Sequence, residues 1–211
     1  MKFEVRKTSL LQSASAAHDA LLVLWPDNAK EQGPLGDWID KARARDDFKK
    51  ITGSTLQSYG MPGLKPRYLL IVASGQGSAA DIRKAIRAAW AALKSAPIKK
   101  LAIYWAGSEL PPQSLSTVFA ELADVSYAYV STLSKAEPRK LAHVVLGMAQ
   151  VSAQHEAATR QAQALVRGVE VAKEWANRPA NHATPSALAS MARAIAKRSH
   201  LQCKVMGPRE V

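Results

Sequence analysis

The chain has 211 residues, 47% hydrophobic and 22% charged. That is enough for one large domain, or one domain and part of a second, and it excludes disordered, collagen-like and low-complexity polymers. Its 29 Lys and Arg against 17 Asp and Glu leave a net charge of +12, so a polyanion has to be considered as a partner, although charge alone speaks to non-specific association. A single cysteine, Cys203, excludes an internal disulfide and a thiolate metal cluster, and is expected as a small buried hydrophobe.

Alternation in Lys2 to Arg6 and the apolar run from Asp19 to Trp25 predict strands. The unbroken apolar stretches Ala20 to Trp25 and Tyr68 to Ala73 are far shorter than the roughly 20 residues of a bilayer span, so no transmembrane helix is expected. Near the N-terminus only Leu10 and Leu11 stand where a secretory signal needs an apolar run, and a cytoplasmic protein is expected. Gly36 to Arg45 reads as a short helix, and Ile51 to Tyr59 as a further strand. The turn Met61-Pro62-Gly63 leads into the strand Tyr68 to Ala73, followed at once by Ser74-Gly75-Gln76-Gly77.

A helix is predicted over Ala79 to Lys94, with Ile82, Ile86, Ala89 and Leu93 on its buried stripe and Arg83, Arg87 and Lys94 facing solvent. Lys99 to Trp105 is the next strand. After Pro111-Pro112, the spacing of Leu115, Val118, Phe119, Leu122 and Tyr129 predicts one long helix, in preference to a strand over Val125, Tyr127 and Tyr129. Leu141 to Met148 reads as a buried strand and Ser152 to Trp175 as a long helix, with a stripe of Ala162, Leu165, Val169 and Ala172. Thr184-Pro185 is the expected cap and first turn of another helix, whose buried face is Leu188, Met191, Ala192 and Ile195. Leu201 to Met206 reads as a strand, and Gly207 to Val211 as a turn opening a further element.

Strands alternating with helices predict an α/β fold with a mixed sheet flanked by helices, then a long connecting helix and the start of a second α/β domain. Few motifs carry chemistry. Gly75-Gln76-Gly77 between a strand and a helix resembles a phosphate-binding turn, but Ala80 holds the third glycine position and no acidic residue closes the next strand, so a plain strand-to-helix turn is expected. The histidines His18, His143, His155, His182 and His200 lack the spacing of a metal motif, and no Asp follows Val125. His143 is expected as a satisfied core residue and His155 as exposed. No Gly-x-Ser-x-Gly is present, and Cys203 lacks an activating partner. No catalytic, cofactor-binding or metal-binding residue is assigned.

The most specific segment is Glu174-Trp175-Ala176-Asn177-Arg178-Pro179-Ala180-Asn181-His182-Ala183-Thr184-Pro185, followed by Leu188 and Ala189. A helix, then Asn-x-Pro-x-Asn-x-x-Thr-Pro, then a second helix resembles the junction between the N-terminal and catalytic domains of the leucyl aminopeptidase (cytosol aminopeptidase) family. Gly63-Leu64-Lys65, the strand from Tyr68, the Gly75 turn and the helix after Ala79 occur in the order of that family's N-terminal domain.

The resemblance implies a macro-domain-like N-terminal domain over 1–150, a connecting helix and linker over 151–183, and the beginning of a metallopeptidase domain over 184–211. It also implies two divalent metals, Zn or Mn, that hydrolyse N-terminal residues, leucine preferred, from peptide substrates in the full-length protein, and a homo-hexamer. The family's metal and catalytic motifs match nothing in this sequence, so the chain alone is expected to be inactive and a monomer or weak dimer. Read from its residues, the Asn177 to Pro185 stretch is a capped linker stiffened by prolines. The alternative expectation is a free-standing basic module that binds nucleic acid or, near Ser74 to Ser78, an ADP-ribose-like ligand.

Overall fold

The computed structural model describes residues 1–30, 34–207 and 209–210. The chain divides into two compact units: Met1–Ala128 with Arg139–Gly168, and Tyr129–Pro138 with Val169–Val211.

The first unit is built on a six-stranded sheet of β1 (Lys2–Lys7), β2 (Ala20–Trp25), β3 (Thr55–Tyr59), β4 (Tyr68–Ala73), β5 (Lys100–Trp105) and β6 (His143–Met148), in the order β1-β6-β5-β2-β4-β3. Every pairing is parallel except that of β3 with β4. The sequence pattern dictates this arrangement. Ala-Leu-Leu-Val-Leu-Trp of β2 is buried at every position, as befits a central parallel strand with helices on both faces. β3 and β1 keep exposed residues because each lies at an edge.

Helices cover the two faces. On one, α3 (Ala79–Leu93), α4 (Pro112–Val125) and the first part of α5 (Ala153–Ala176) bury Ile82, Ile86, Val118, Phe119 and Ala162 against Leu22, Leu24, Val72 and Ile103. On the other, α1 (Leu10–Ala14) and α2 (Pro34–Ala44) set Leu10, Ile39 and Ala42 against Leu21, Val23 and Ile71. Buried aliphatic side chains of this size each stabilise by about 1.5–3 kcal/mol relative to exposure, so β2, contributing to both layers, is the spine of the unit. α1 was not foreseen from the apolar pattern. It is only five residues long, and it is fixed by a capping box in which Ser9 Oγ accepts from Gln12 N–H and Gln12 Oε1 accepts from Ser9 N–H.

Two expected elements are corrected. α4 ends at Val125 and does not run on to Tyr129. Ser126 closes it, its hydroxyl donating to Leu122 O at 2.6 Å, so the helical spacing that Tyr129 shares with Leu122 does not continue as helix beyond Val125. Leu201 to Met206 is not a strand; Leu201 and Met206 are 65% and 54% exposed, and apolar composition without a neighbouring ladder does not make a strand.

The second unit contains the end of α5 and α6 (Pro185–Ser199). Both expected stripes are shallower than the sequence suggests. Leu165 and Val169 of α5 are exposed while Ala158, Ala162 and Val166 are buried. On α6 only Ala196 is buried, Leu188 is exposed, and Met191, Ala192 and Ile195 are half-buried. The turn expected over Gly207 to Val211 includes Pro208 and Val211, which lie outside the described residues.

Candidate functional site

The glycine turn after β4 is the first place the sequence offers for ligand chemistry. Ser74 N–H donates to Trp25 O at 2.9 Å, Asp27 N–H to Gly75 O at 2.8 Å, and Gly77 N–H to Ser74 O at 2.9 Å. Gly75 and Gly77 take φ of +53° and +78°, the left-handed region that favours glycine. Both positions are also crowded: a Cβ on Gly75 would stand 2.6 Å from Thr52 Oγ1, and one on Gly77 would stand 2.6 Å from Trp105 Cη2. From the other side, the Ser114 hydroxyl of α4 donates to Gly77 O at 2.7 Å. The turn is held rigidly.

Its anion position is already filled by the protein. Asp81, in the first turn of α3, accepts hydrogen bonds from the Ser78 hydroxyl at 2.8 Å and the Thr52 hydroxyl at 3.2 Å. The backbone N–H groups of Ser78 and Gln76 also favour its charged form. Burial pushes the Asp81 carboxyl up, but the two hydroxyls together with these backbone groups outweigh it and hold it below the usual carboxylate range. A helix N-terminus draws phosphate because its N–H groups are free and its dipole end is positive. Here a carboxylate takes those donors and adds like-charge repulsion. Asp81 is the residue that sequence reasoning missed, and the readable signal was Ser78-x-x-Asp81, a capping pattern just ahead of an apolar run.

The histidines do not converge. His155, expected exposed, is 3% exposed. Its Nδ1 accepts from Ser152 N–H at 3.1 Å, which leaves the proton on Nε2 to be donated to Leu110 O at 2.8 Å. The ring is thus a neutral clip between the loop before α4 and the start of α5. His143, expected in the core, is half-buried, with Nε2 3.1 Å from Glu4 Oε1 in a geometry that makes no hydrogen bond. Cys203, expected buried, is exposed. Among the described residues no three His, Cys, Asp or Glu side chains come together as metal ligands. The described residues therefore do not fit a pair of divalent metals.

The segment from 174 to 185 is a double cap. At the end of α5, Asn177 donates its side-chain N–H to Lys173 O at 2.7 Å, and its backbone N–H goes to the same carbonyl at 3.0 Å. Pro179 O then accepts from His182 and Ala183, and the Thr184 hydroxyl accepts from Ala187 N–H at 3.2 Å to start α6. The Arg178 guanidinium lies over the Trp175 ring at 4.1 Å and donates to Glu174 Oε1 at 3.1 Å, and Glu174 also accepts from the Ser131 hydroxyl. Every one of these contacts is structural. Asn181 is exposed.

No protein-family model matches the chain. Individual relatives do. The chain is 37% identical over its whole length to a protein named probable cytosol aminopeptidase from Acidovorax sp. strain JS42, of which it covers 42%. It is 35% identical, again with 42% of the relative covered, to a protein of the same name from Polaromonas sp. strain JS666. The chain thus spans less than half the length of the curated relatives it matches. Among solved structures, a tomato leucine aminopeptidase variant superposes with a TM-score of 0.74 at 22% identity, covering 95% of this chain and 43% of that one. The bottromycin maturation enzyme BotP, in complex with Mn, gives 0.68 at 23% identity, covering 92% and 39%. The mixed six-stranded fold is therefore that of the leucine aminopeptidase N-terminal region.

Proposed function

We propose that this chain, which is related along its whole length to the N-terminal part of the cytosol aminopeptidases, is the non-catalytic N-terminal portion of a cytoplasmic, metal-dependent leucyl aminopeptidase. The observation that carries the reading is the conjunction of two facts. Similarity runs over all of this chain but only 42% of its relatives, and the described residues bring no metal-binding trio together. Removing an N-terminal residue with two Zn or Mn ions needs a carboxylate-rich cage to hold them, which on this reading lies in the part of the relatives' length that this chain does not span.

The division follows the chain: a macro-like domain over 1–150, the connecting helix and linker over 151–183, and the opening of the metallopeptidase domain from 184. Peptides meet the enzyme through the remaining portion, and the full-length protein is a homo-hexamer, whereas the 211-residue chain is a monomer or weak dimer. The test is direct. The purified chain with Mn2+ or Zn2+ turns over no leucine p-nitroanilide, and protein carrying the relatives' full length does; turnover by the chain alone overturns the reading.

The net charge of +12 favours a second reading, a basic module for nucleic acid. Such binding falls steeply as salt rises, because each Lys or Arg contact with a phosphate releases counterions; no binding at about 50 mM salt removes it. The ADP-ribose arm of that reading is weakened by Asp81, whose carboxylate sits at the start of α3 with the Ser78 and Thr52 hydroxyls and adds like charge where a phosphate would bind.

A further inference from the structure

We infer that the cavity formed by α1, the ends of β1 and β6, and the middle of β5 is a binding site for a short-chain monocarboxylate anion. Its volume is about 120 Å3. A cavity of about 150 Å3 takes the six carbons of benzene, so this one suits roughly four to six non-hydrogen atoms. The polar part of its lining comes from Arg6, Lys7, Thr8, Gln12, Ser13 and His18. The rest is apolar, from Ala16, Ala102, Ile103 and Val145 together with Gly147. A lining that combines cationic and donor groups with apolar ones fits a carboxylate carrying a short aliphatic tail better than a bare inorganic anion or a neutral hydrocarbon.

The polar groups are arranged as donors. Arg6 uses Nε and one Nη2 hydrogen on Glu4 Oε2, at 3.1 and 2.5 Å, which leaves the other N–H groups of its five-donor fork for a second acceptor. Gln12 Oε1 is taken by Ser9 N–H at 2.9 Å, so the end of that side chain with hydrogen-bonding capacity to spare is its NH2. His18 Nδ1 is buried with no hydrogen-bond partner, a group that needs one. The carboxylates of Glu4 and Asp19 already have partners: Glu4 holds Lys2 and one edge of Arg6, and Asp19 accepts from the Lys99 and Lys100 backbone N–H groups at 2.8 Å each. Burial first, and then the positive charges of His143, Arg6 and Lys100, hold the His18 imidazole below its usual range, against a smaller opposing effect of Asp19. The positive charges among those causes are of the sign that draws an anion. Gly147 sets the wall, because a Cβ at that position would stand 2.4 Å from Thr8 Cγ2.

The experiment is a titration of the isotopically labelled 211-residue chain with sodium butyrate at constant low ionic strength, read on backbone amide resonances. The amides of Thr8, Gln12, Ser13 and Gly147 move saturably, with a millimolar midpoint. Arg6→Gln and Lys7→Gln each raise that midpoint roughly 3–10-fold through loss of a charge-assisted contact. Arg6 is 59% exposed at its side chain, so the rest of the spectrum reports an unchanged fold. Butanol has the tail without the charge, and inorganic phosphate the charge without the tail; each binds at least roughly tenfold more weakly. Absence of saturation, equal shifts with butanol, equal or stronger binding of phosphate, or variants with unaltered midpoints would each overturn the assignment.

Discussion

The Arg87 side chain of α3 reaches across to Glu121 of α4, with Nε 2.5 Å from Oε1. The two ends of this pair differ in environment: Arg87 is 64% exposed and Glu121 only 8%. Such an arrangement leaves the carboxylate dependent on its partner, because a nearly buried charge that loses its counter-ion keeps its desolvation penalty. The hydrogen bond and charge of Glu121 correspondingly raise the Arg87 pKa. Arg87→Met is expected to lower the thermal midpoint by roughly 2–6 °C for a chain of this size. The double variant Arg87→Met/Glu121→Met should recover most of that loss, measured by calorimetry, since replacing both partners removes the stranded charge.

His155 poses the complementary case of a neutral buried clip. Its ring joins Ser152 N–H to Leu110 O and has 3% exposure. His155→Leu would preserve apolar volume but leave the carbonyl of buried Leu110 without its donor, while the N–H of exposed Ser152 turns to water, which costs about 1–3 kcal/mol in total. His155→Gln, which restores one of the two bonds, should cost about half as much. Urea unfolding of the two variants, compared at equal slope, checks the order; equal midpoints would mean that water replaces the ring.

How much of this was legible in the sequence depended on whether a residue's fate is decided locally. β2, β4 and α3 could be read to within a residue or two, because six consecutive apolar residues or a clean 3.6-residue stripe leaves a single way to bury them. The overrun of α4 and the false strand at Leu201 arose where periodicity continued by chance with no packing partner to give it meaning. His155 was misplaced for a different reason: its polar neighbours suggest solvent, whereas its burial is set by the distant carbonyl of Leu110. At the glycine turn, spacing alone showed only the glycines. That Asp81 occupies the anion position depends on Thr52 arriving from a loop 29 residues earlier.

The crowding at Gly77 makes a sharp prediction for that turn. With φ at +78° and Trp105 Cη2 2.6 Å from any added Cβ, Gly77→Ala combines backbone strain with a clash against a fully packed indole. A loss of about 2–4 kcal/mol is expected. Because Trp105 must shift to make room, the tryptophan emission of the folded variant should move as well. Gly63→Ala provides the control, since its φ of +83° carries the strain but nothing lies within 4 Å of the added atom. Its loss should be about 1 kcal/mol, with unchanged emission.

Glu4 governs the response to acid at the sheet edge. Its carboxyl is lowered from 4.5 to about 2, first by hydrogen bonds from Lys2 and Arg6 and then, against the opposing effect of burial, by their positive charges. A depressed carboxyl pKa contributes stability that is fully present above the unfolded-state value and is lost as the pH falls through the folded-state value. For Glu4 the window therefore runs from about 4.5 down to about 2. Its partners Lys2 and Arg6 are 67% and 59% exposed at their side chains, so solvent screening keeps the contribution to about 1 kcal/mol or less. Glu4→Gln should accordingly be slightly less stable than the parent chain at neutral pH and low salt. The two stability curves should approach one another as the pH drops through that window, and they should meet below it. The difference at neutral pH should shrink in 0.5 M NaCl, where the Debye length of roughly 4 Å screens an exposed pair. Denaturant midpoints measured across this pH range test the assignment, and a gap that stays constant from neutral pH down to pH 2 would show that the Lys2–Glu4–Arg6 cluster does not set the acid response.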